Sequence, residues 1–130
     1  MNCYAGSEAV SGNFAVGGPW VTLFKMNHIV NPGPSMMWIF NDEHPDSIND
    51  GTEVTTSRFP MTFWEDLPAS YHANACGFAF ADGHSEVHKW IASSTCKPIQ
   101  RASGAGMPVT ILPGQGDDRN WITNRLSHLR

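Results

Sequence analysis

Residues 71–90 read YHANACGFAFADGHSEVHKW, and this stretch decides the fold. At its centre lies Asp82-Gly83, a pair typical of a two-residue type I′ hairpin turn, because both central positions of that turn need a positive φ. Counting outward from such a turn places Phe78 opposite Val87 across two antiparallel strands. The sequence therefore predicts a β-hairpin here, around which the rest of the chain is organised.

This register divides the hairpin into two faces, because side chains alternate along a strand. On the polar face, the cross-strand neighbours of the polar side chains are the small residues Gly77, Ala79 and Ala81. These small side chains leave room for a ligand or an ion. The alternative is an ordinary solvated face. The predicted apolar face consists of Phe78, Phe80 and Val87, and the polar face of His84, Glu86 and His88.

The composition of the whole chain favours an all-β domain. Charged residues make up only 15%, while 12 Gly and 9 Pro favour short strands and many turns. At 130 residues, the chain fits one domain spanning 1–130 with a core of its own. Further strands are predicted at residues 20–30, 35–40, 52–57 and 109–112, the second of them central and buried. A short amphipathic helix is predicted over 117–126, with Asp117 or Asp118 as its N-cap.

Charge, hydropathy and cysteine pattern exclude several classes of protein. The net charge of −4 with scattered Lys and Arg argues against nucleic-acid binding. No apolar run approaches the length of a membrane span. The three cysteines form no CxxC pair, which argues against a thiolate metal site. A Cys76–Cys96 disulfide with Cys3 left over, and three unpaired thiols, both remain open.

Three of the six histidines are candidate metal ligands. His44 follows the buried run 35–40, His72 precedes the hairpin, and His84 opens its second strand. In a small sandwich these points can converge, and three neutral imidazoles suit zinc or copper with one position left for water or substrate. The alternative is three unrelated histidines, one of them a core residue with its hydrogen bonds satisfied.

Further side chains are candidates for catalysis or substrate binding. Glu43 and Glu86 can orient imidazoles or relay protons. His88 shares the face of His84 and is a candidate fourth ligand or acid–base group, although a surface histidine is the simpler interpretation. Tyr71 and Trp90 bracket the site segment, where an aromatic ring can stack on a sugar.

Two linked motifs carry a family resemblance. The run from Phe40 to Gly51, FNDEHPDSINDG, is followed by His72-x9-Asp82-Gly83. Together they resemble the prepilin-processing-associated H-x9-DG domain family. This resemblance implies a pseudopilin-like structural or assembly subunit.

The chain also resembles compact copper-dependent enzymes that cleave cellulose oxidatively, which are small jelly-roll, cupin-like dimers. That resemblance implies copper on His44, His72 and His84. It also implies oxidative attack on cellulose or another β-glucan, with peroxide or oxygen as co-substrate.

We therefore predict an antiparallel β-sandwich of jelly-roll, cupin-like type with a short C-terminal helix. The predicted function is that of a secreted bacterial copper oxidoreductase that acts on cellulose. A homodimer is one predicted assembly, and neither a nucleic-acid partner nor a membrane span is expected. The alternatives are the pseudopilin-like structural subunit, a zinc-dependent hydrolase and a carbohydrate-binding module.

Overall fold

Strands in antiparallel sheets and one short α-helix form the described part of the fold. The computed structural model describes residues 23, 25–49, 53, 62–101 and 107–126. Within these ranges, β1-β3-β4 form one sheet and β2-β5 a second, and every pairing is antiparallel. A single turn of 3-10 helix lies at Met26–His28. The elements are β1 (Trp38–Asn41), β2 (Phe63–Trp64), β3 (Ala75–Phe80), β4 (Ser85–Lys89), β5 (Val109–Thr110) and α1 (Asp117–Thr123).

The predicted hairpin is confirmed as β3 and β4, but its register is shifted by one residue. Phe78 pairs with Glu86 and Gly77 with Val87. The turn contains three residues rather than two, because the Phe80 amide donates to the His84 carbonyl and Gly83 takes a φ of 95°. A three-residue hairpin loop commonly ends on such a left-handed glycine.

A shift of one residue moves every side chain of β4 to the opposite face. The predicted faces are therefore wrong for this strand. Val87 is 74% exposed rather than buried. The polar set His84, Glu86 and His88 instead shares the side of the sheet that carries Phe78 and Phe80.

The core lies on one side of the three-stranded sheet and is largely aromatic. Phe78 is at its centre, with ring centroids 5.8 Å from Trp38, 5.9 Å from Trp90 and 5.0 Å from Trp121. Ile122 of α1 is completely buried against this cluster. The helix thus closes the core at the end of the sheet.

Two other predicted strands need correction. Residues 35–40 do not form a central strand, because β1 begins at Trp38 and β3 occupies the centre of the described sheet. In the predicted strand over 20–30, the described residues 23 and 25–30 form no β-strand, and Met26–His28 form a 3-10 turn. The predicted strand over 52–57 lies outside the described residues apart from Glu53. The predicted strand at 109–112 is present as β5.

The predicted helix is confirmed, but its N-cap is Gly116, with no side-chain capping bond. Asp118 is buried and its carboxylate accepts the backbone N–H groups of Ile91 and Ala92. This acid therefore ties the helix to the chain that leaves β4. No described helix is long and apolar enough to cross a membrane.

Candidate functional site

The polar motif after β1 is buried rather than open to solvent. Its five residues with almost no solvent exposure are Asn41, Glu43, His44, Asp46 and Ser47. Buried polar groups must find hydrogen-bond partners or lose the free energy of their hydration. The hydrogen-bond partners of these five residues therefore decide between a role in folding and a role in binding a ligand.

His44 is 2% exposed, and both of its ring nitrogens face backbone groups. Nε2 lies 3.1 Å from the Lys97 carbonyl oxygen, and the Asp46 amide donates to Nδ1 at 3.3 Å. A carbonyl can only accept, so Nε2 donates to Lys97, while the Asp46 carboxylate lies 3.9 Å from Nδ1. His44 has the bonding of a core histidine whose hydrogen bonds are satisfied.

The neighbours of His44 extend this network to two loops. The Asp46 carboxylate accepts the Gln100 amide at 2.6 Å. Ser47 Oγ donates to Glu43 Oε1 at 2.9 Å and accepts the Leu67 amide at 3.3 Å. Glu43, proposed above as a proton relay, is therefore engaged inside the fold. The motif fastens the loop around residue 67 and the loop around residue 98 to the end of β1.

His72 lies on the open side of the three-stranded sheet. Its side chain is 58% exposed, and Nε2 is 3.8 Å from Asp42 Oδ2. The same carboxylate oxygen lies over Gly77, whose side of β3 faces away from the core. His72 is thus accessible and has one carboxylate beside it.

His84 lies on the other side of the same sheet, at the hairpin turn. Its ring stacks on Phe80 with centroids 4.3 Å apart, and Nδ1 is 2.5 Å from Asp82 Oδ1. The Asp82 carboxylate also accepts the His84 amide, a bond that is common for an aspartate in a turn. These hydrogen bonds from His84 hold the pKa of Asp82 below its usual range.

The three predicted ligands therefore do not form one donor set in this structure. His44 is enclosed by backbone partners, and His72 and His84 lie on opposite sides of a sheet. Among the described residues, no group of three or more His, Cys, Asp or Glu side chains is arranged to hold a metal ion. The copper site stays a prediction from the sequence.

His88 packs at the edge of the core instead of on a free surface. Its ring stacks on Trp121 with centroids 3.8 Å apart, and the Arg125 guanidinium lies 4.0 Å from the centroid of the same indole. Burial lowers the pKa of His88, and Arg125 lowers it further, against opposing effects from Asp118 and Glu86. The predicted catalytic pair Glu86 and His88 thus borders an aromatic cluster.

This packing predicts a pH dependence of stability. Because the pKa of His88 is lower in the folded chain than its ordinary value of 6.5, the unfolded chain binds the proton more readily. The stabilisation by neutral His88 is present above pH 6.5 and is lost as the pH falls through the folded pKa. Urea unfolding at pH 7.5 and 5.5 should show this loss in the wild type and a smaller one in His88→Phe. Equal losses would contradict the assignment.

The two predicted stacking aromatics have different environments. Tyr71 is exposed, and its ring centroid lies 4.4 Å from that of His72. Trp90 is 2% exposed, and its Nε1 donates to the Ala69 carbonyl at 2.8 Å. Trp90 belongs to the core, so the prediction that it stacks on a sugar ring is wrong for this structure.

A cavity of about 380 Å³ lies beside His44. Its polar lining includes Asp46, Lys97, Gln100 and Thr110. Lys97 and Gln100 could not be identified from the sequence, because their loop has no periodic pattern and contributes backbone groups to the network. The cavity adjoins the buried polar motif, because His44 and Asp46 belong to the motif and also line the cavity.

The two described cysteines, Cys76 and Cys96, are free thiols. Burial raises the pKa of Cys76 well above its usual range, and the negative charge of Glu53 raises it further. A buried thiol of this kind stays protonated and unreactive. Cys3 lies outside the described residues.

Comparison of the chain with protein-family models, curated proteins and solved structures gives no significant match. The resemblances seen in the sequence motifs therefore stay predictions.

Proposed function

We propose that this chain is a structural or assembly domain of the pseudopilin-like class, in which the polar motif after β1 is a folding element. The observation that supports this proposal is the environment of His44. Both ring nitrogens face backbone groups, and the histidine is buried in a network that joins three segments of the chain. A structural domain of this class needs a stably folded surface and does not catalyse a reaction.

The rearrangement that a three-histidine copper site would require supports the same proposal. Copper on His44 would have to replace one of its backbone partners. A buried group that loses its hydrogen-bond partner costs about 1–3 kcal/mol, which metal binding would have to offset. His72 and His84 would also have to move to one side of the sheet. A folding role for His44 requires none of these changes.

Copper loading of the purified chain tests this proposal. The protein is stripped with a chelator, reloaded with copper, desalted and analysed for metal content and by electron paramagnetic resonance. We expect no stoichiometric copper that depends jointly on His44, His72 and His84. Incubation with cellulose, ascorbate and peroxide should release no more product than the heat-unfolded chain does.

His28→Ala is the matched control, because His28 is a histidine outside the candidate set. If each of His44→Ala, His72→Ala and His84→Ala changed a nitrogen-rich copper signal while His28→Ala did not, the folding role would be overturned. Copper that is lost equally from all four variants would be adventitious and would leave the proposal standing.

The competing proposal is the secreted copper oxidoreductase acting on cellulose. It includes the jelly-roll form of the β fold, the joint ligation by three histidines and the use of peroxide or oxygen. The exposed imidazoles favour it locally, because His72 and His84 each lie beside a carboxylate that can orient the ring. One copper per chain in the experiment above, with cellulose products, would establish it.

A further inference from the structure

The cavity of about 380 Å³ beside His44 has the size of a small-molecule site. Ligand sites in proteins commonly have volumes of about 300–1,000 Å³. Its lining comes from two parts of the chain in addition to the polar motif. Lys97 and Gln100 belong to the loop 97–100, and Leu112 follows β5. The cavity thus brings polar and apolar side chains together within the volume of a small organic molecule.

The backbone of this loop is held in place from the core. His44 Nε2 and Ser70 Oγ both donate to the Lys97 carbonyl, at 3.1 Å and 3.3 Å. The Gln100 amide donates to the buried Asp46 carboxylate at 2.6 Å. These bonds use only backbone groups of the loop, and Lys97 and Gln100 are exposed residues. The loop therefore presents both side chains from fixed positions, which lowers the entropic cost of binding a ligand.

Of the acid and the amine that line this cavity, only the amine is exposed. Lys97 is exposed to solvent, whereas Asp46 is 3% exposed and its carboxylate already accepts the Gln100 amide. An anionic group of a ligand can meet the Lys97 ammonium without displacing that bond. The buried charge of Asp46 repels a second negative charge, so a carboxylate is favoured over a phosphate dianion.

The rest of the lining suits an apolar body with a polar end. Leu112 is 49% exposed at the cavity, and Met107 and Val109 are partly buried beside it. Covering this surface with the body of a ligand removes apolar area from water, which favours binding. Gln100 and Thr110 add an amide and a hydroxyl that can donate to a carboxylate.

We propose that this cavity binds a small organic carboxylate that has an aromatic or branched aliphatic body. The carboxylate accepts hydrogen bonds from the Lys97 ammonium and from the side chains of Gln100 and Thr110. The apolar body packs against Leu112. Binding leaves the hydrogen bonds of His44 in place, so this inference goes beyond the proposed assembly role and does not depend on it.

Titration of the isotope-labelled full chain with hydrocinnamate, followed by NMR, tests the proposal. Backbone signals from residues 97–100 and 107–112 should shift and saturate, with a Kd of about 0.1–1 mM. Hydrocinnamamide and phenylpropylamine are matched ligands, because they keep the body but carry a neutral or a cationic group. The carboxylate should bind about fivefold to tenfold more tightly than the amide, and the amine should bind most weakly. Phenethyl phosphate should bind less tightly than hydrocinnamate.

Substitutions test the two ends of the ligand separately. Lys97→Met keeps most of the apolar stem, so hydrocinnamate should bind about fivefold to tenfold more weakly while hydrocinnamamide stays within about twofold. Lys89→Met is the control, because Lys89 is an exposed lysine of β4 outside this lining. Leu112→Ser should weaken both ligands about threefold. Val30→Ser, at a residue that is 73% exposed elsewhere, should change neither affinity.

The wild-type series decides the proposal even if a variant does not fold. Shifts that are scattered over the surface, or that do not saturate by about 10 mM, would overturn it. Tighter binding of the amine or of phenethyl phosphate than of hydrocinnamate would reject the carboxylate class. Equal weakening of hydrocinnamate and hydrocinnamamide by Lys97→Met would show that this lysine does not meet the charged group.

Discussion

His44→Ala should lower the free energy of unfolding by about 3 kcal/mol. The substitution removes the N–H that the Lys97 carbonyl accepts and the acceptor that the Asp46 amide uses. It also leaves a void beside a cavity that already exists, and large-to-small changes in packed sites add a cavity cost. Urea unfolding followed by tryptophan fluorescence measures the change.

The two other candidate histidines are the matched controls. His72 and His84 are substantially exposed, so His72→Ala and His84→Ala should each stay within about 0.5 kcal/mol of the wild type. His44→Gln keeps a donor of suitable reach and should recover part of the loss. If all three alanine variants were equally stable, His44 would not be a folding residue.

The hairpin shows how far the sequence could predict this fold. Asp82-Gly83 located the turn correctly, and Phe78 and Phe80 were correctly predicted to be buried. The register was missed because a glycine with positive φ ends both a two-residue and a three-residue loop. Only packing separates the two, and here the longer turn places His84 over Phe80 and exposes Val87.

The candidate site illustrates a different limit. The sequence located the polar cluster that ends β1, and it included His44 as the residue of interest. The hydrogen-bond partners of His44 are the backbone carbonyl of Lys97 and the backbone amide of Asp46. Every residue has such backbone groups, so the sequence does not show which of them His44 contacts. Spacing alone could not tell a histidine bonded to backbone from one that binds a metal.

Position relative to the sheet explains why the three histidines do not meet. His72 precedes β3 and lies on its open side, whereas His84 follows the turn on the side of the core. With the predicted two-residue turn, His84 would have been on the open side with Gly77 and His72. A single residue in a turn therefore decides whether His72 and His84 lie on the same side of the sheet.

Asp118→Ala should lower the free energy of unfolding by about 3–4 kcal/mol. The buried carboxylate accepts the Ile91 amide at 3.2 Å and the Ala92 amide at 2.9 Å. Hydrogen bonds to a charged acceptor contribute about 1.5–3 kcal/mol each, and the buried Ala92 amide would lose its partner. Thermal unfolding followed by circular dichroism measures the effect.

Asp117→Ala is the control, because Asp117 is the exposed neighbour in the same first helical turn and has the same charge. Both acids interact favourably with the helix dipole, which contributes about 0.3–1 kcal/mol at an exposed position. Asp117→Ala should therefore lose only this dipole energy, whereas Asp118→Ala also loses the link to the end of β4. Equal losses would mean that the dipole accounts for both. A loss confined to Asp118→Ala would instead establish that this carboxylate holds α1 against the residues that follow β4. This link keeps α1 packed on the aromatic core that contains Trp90 and Trp121.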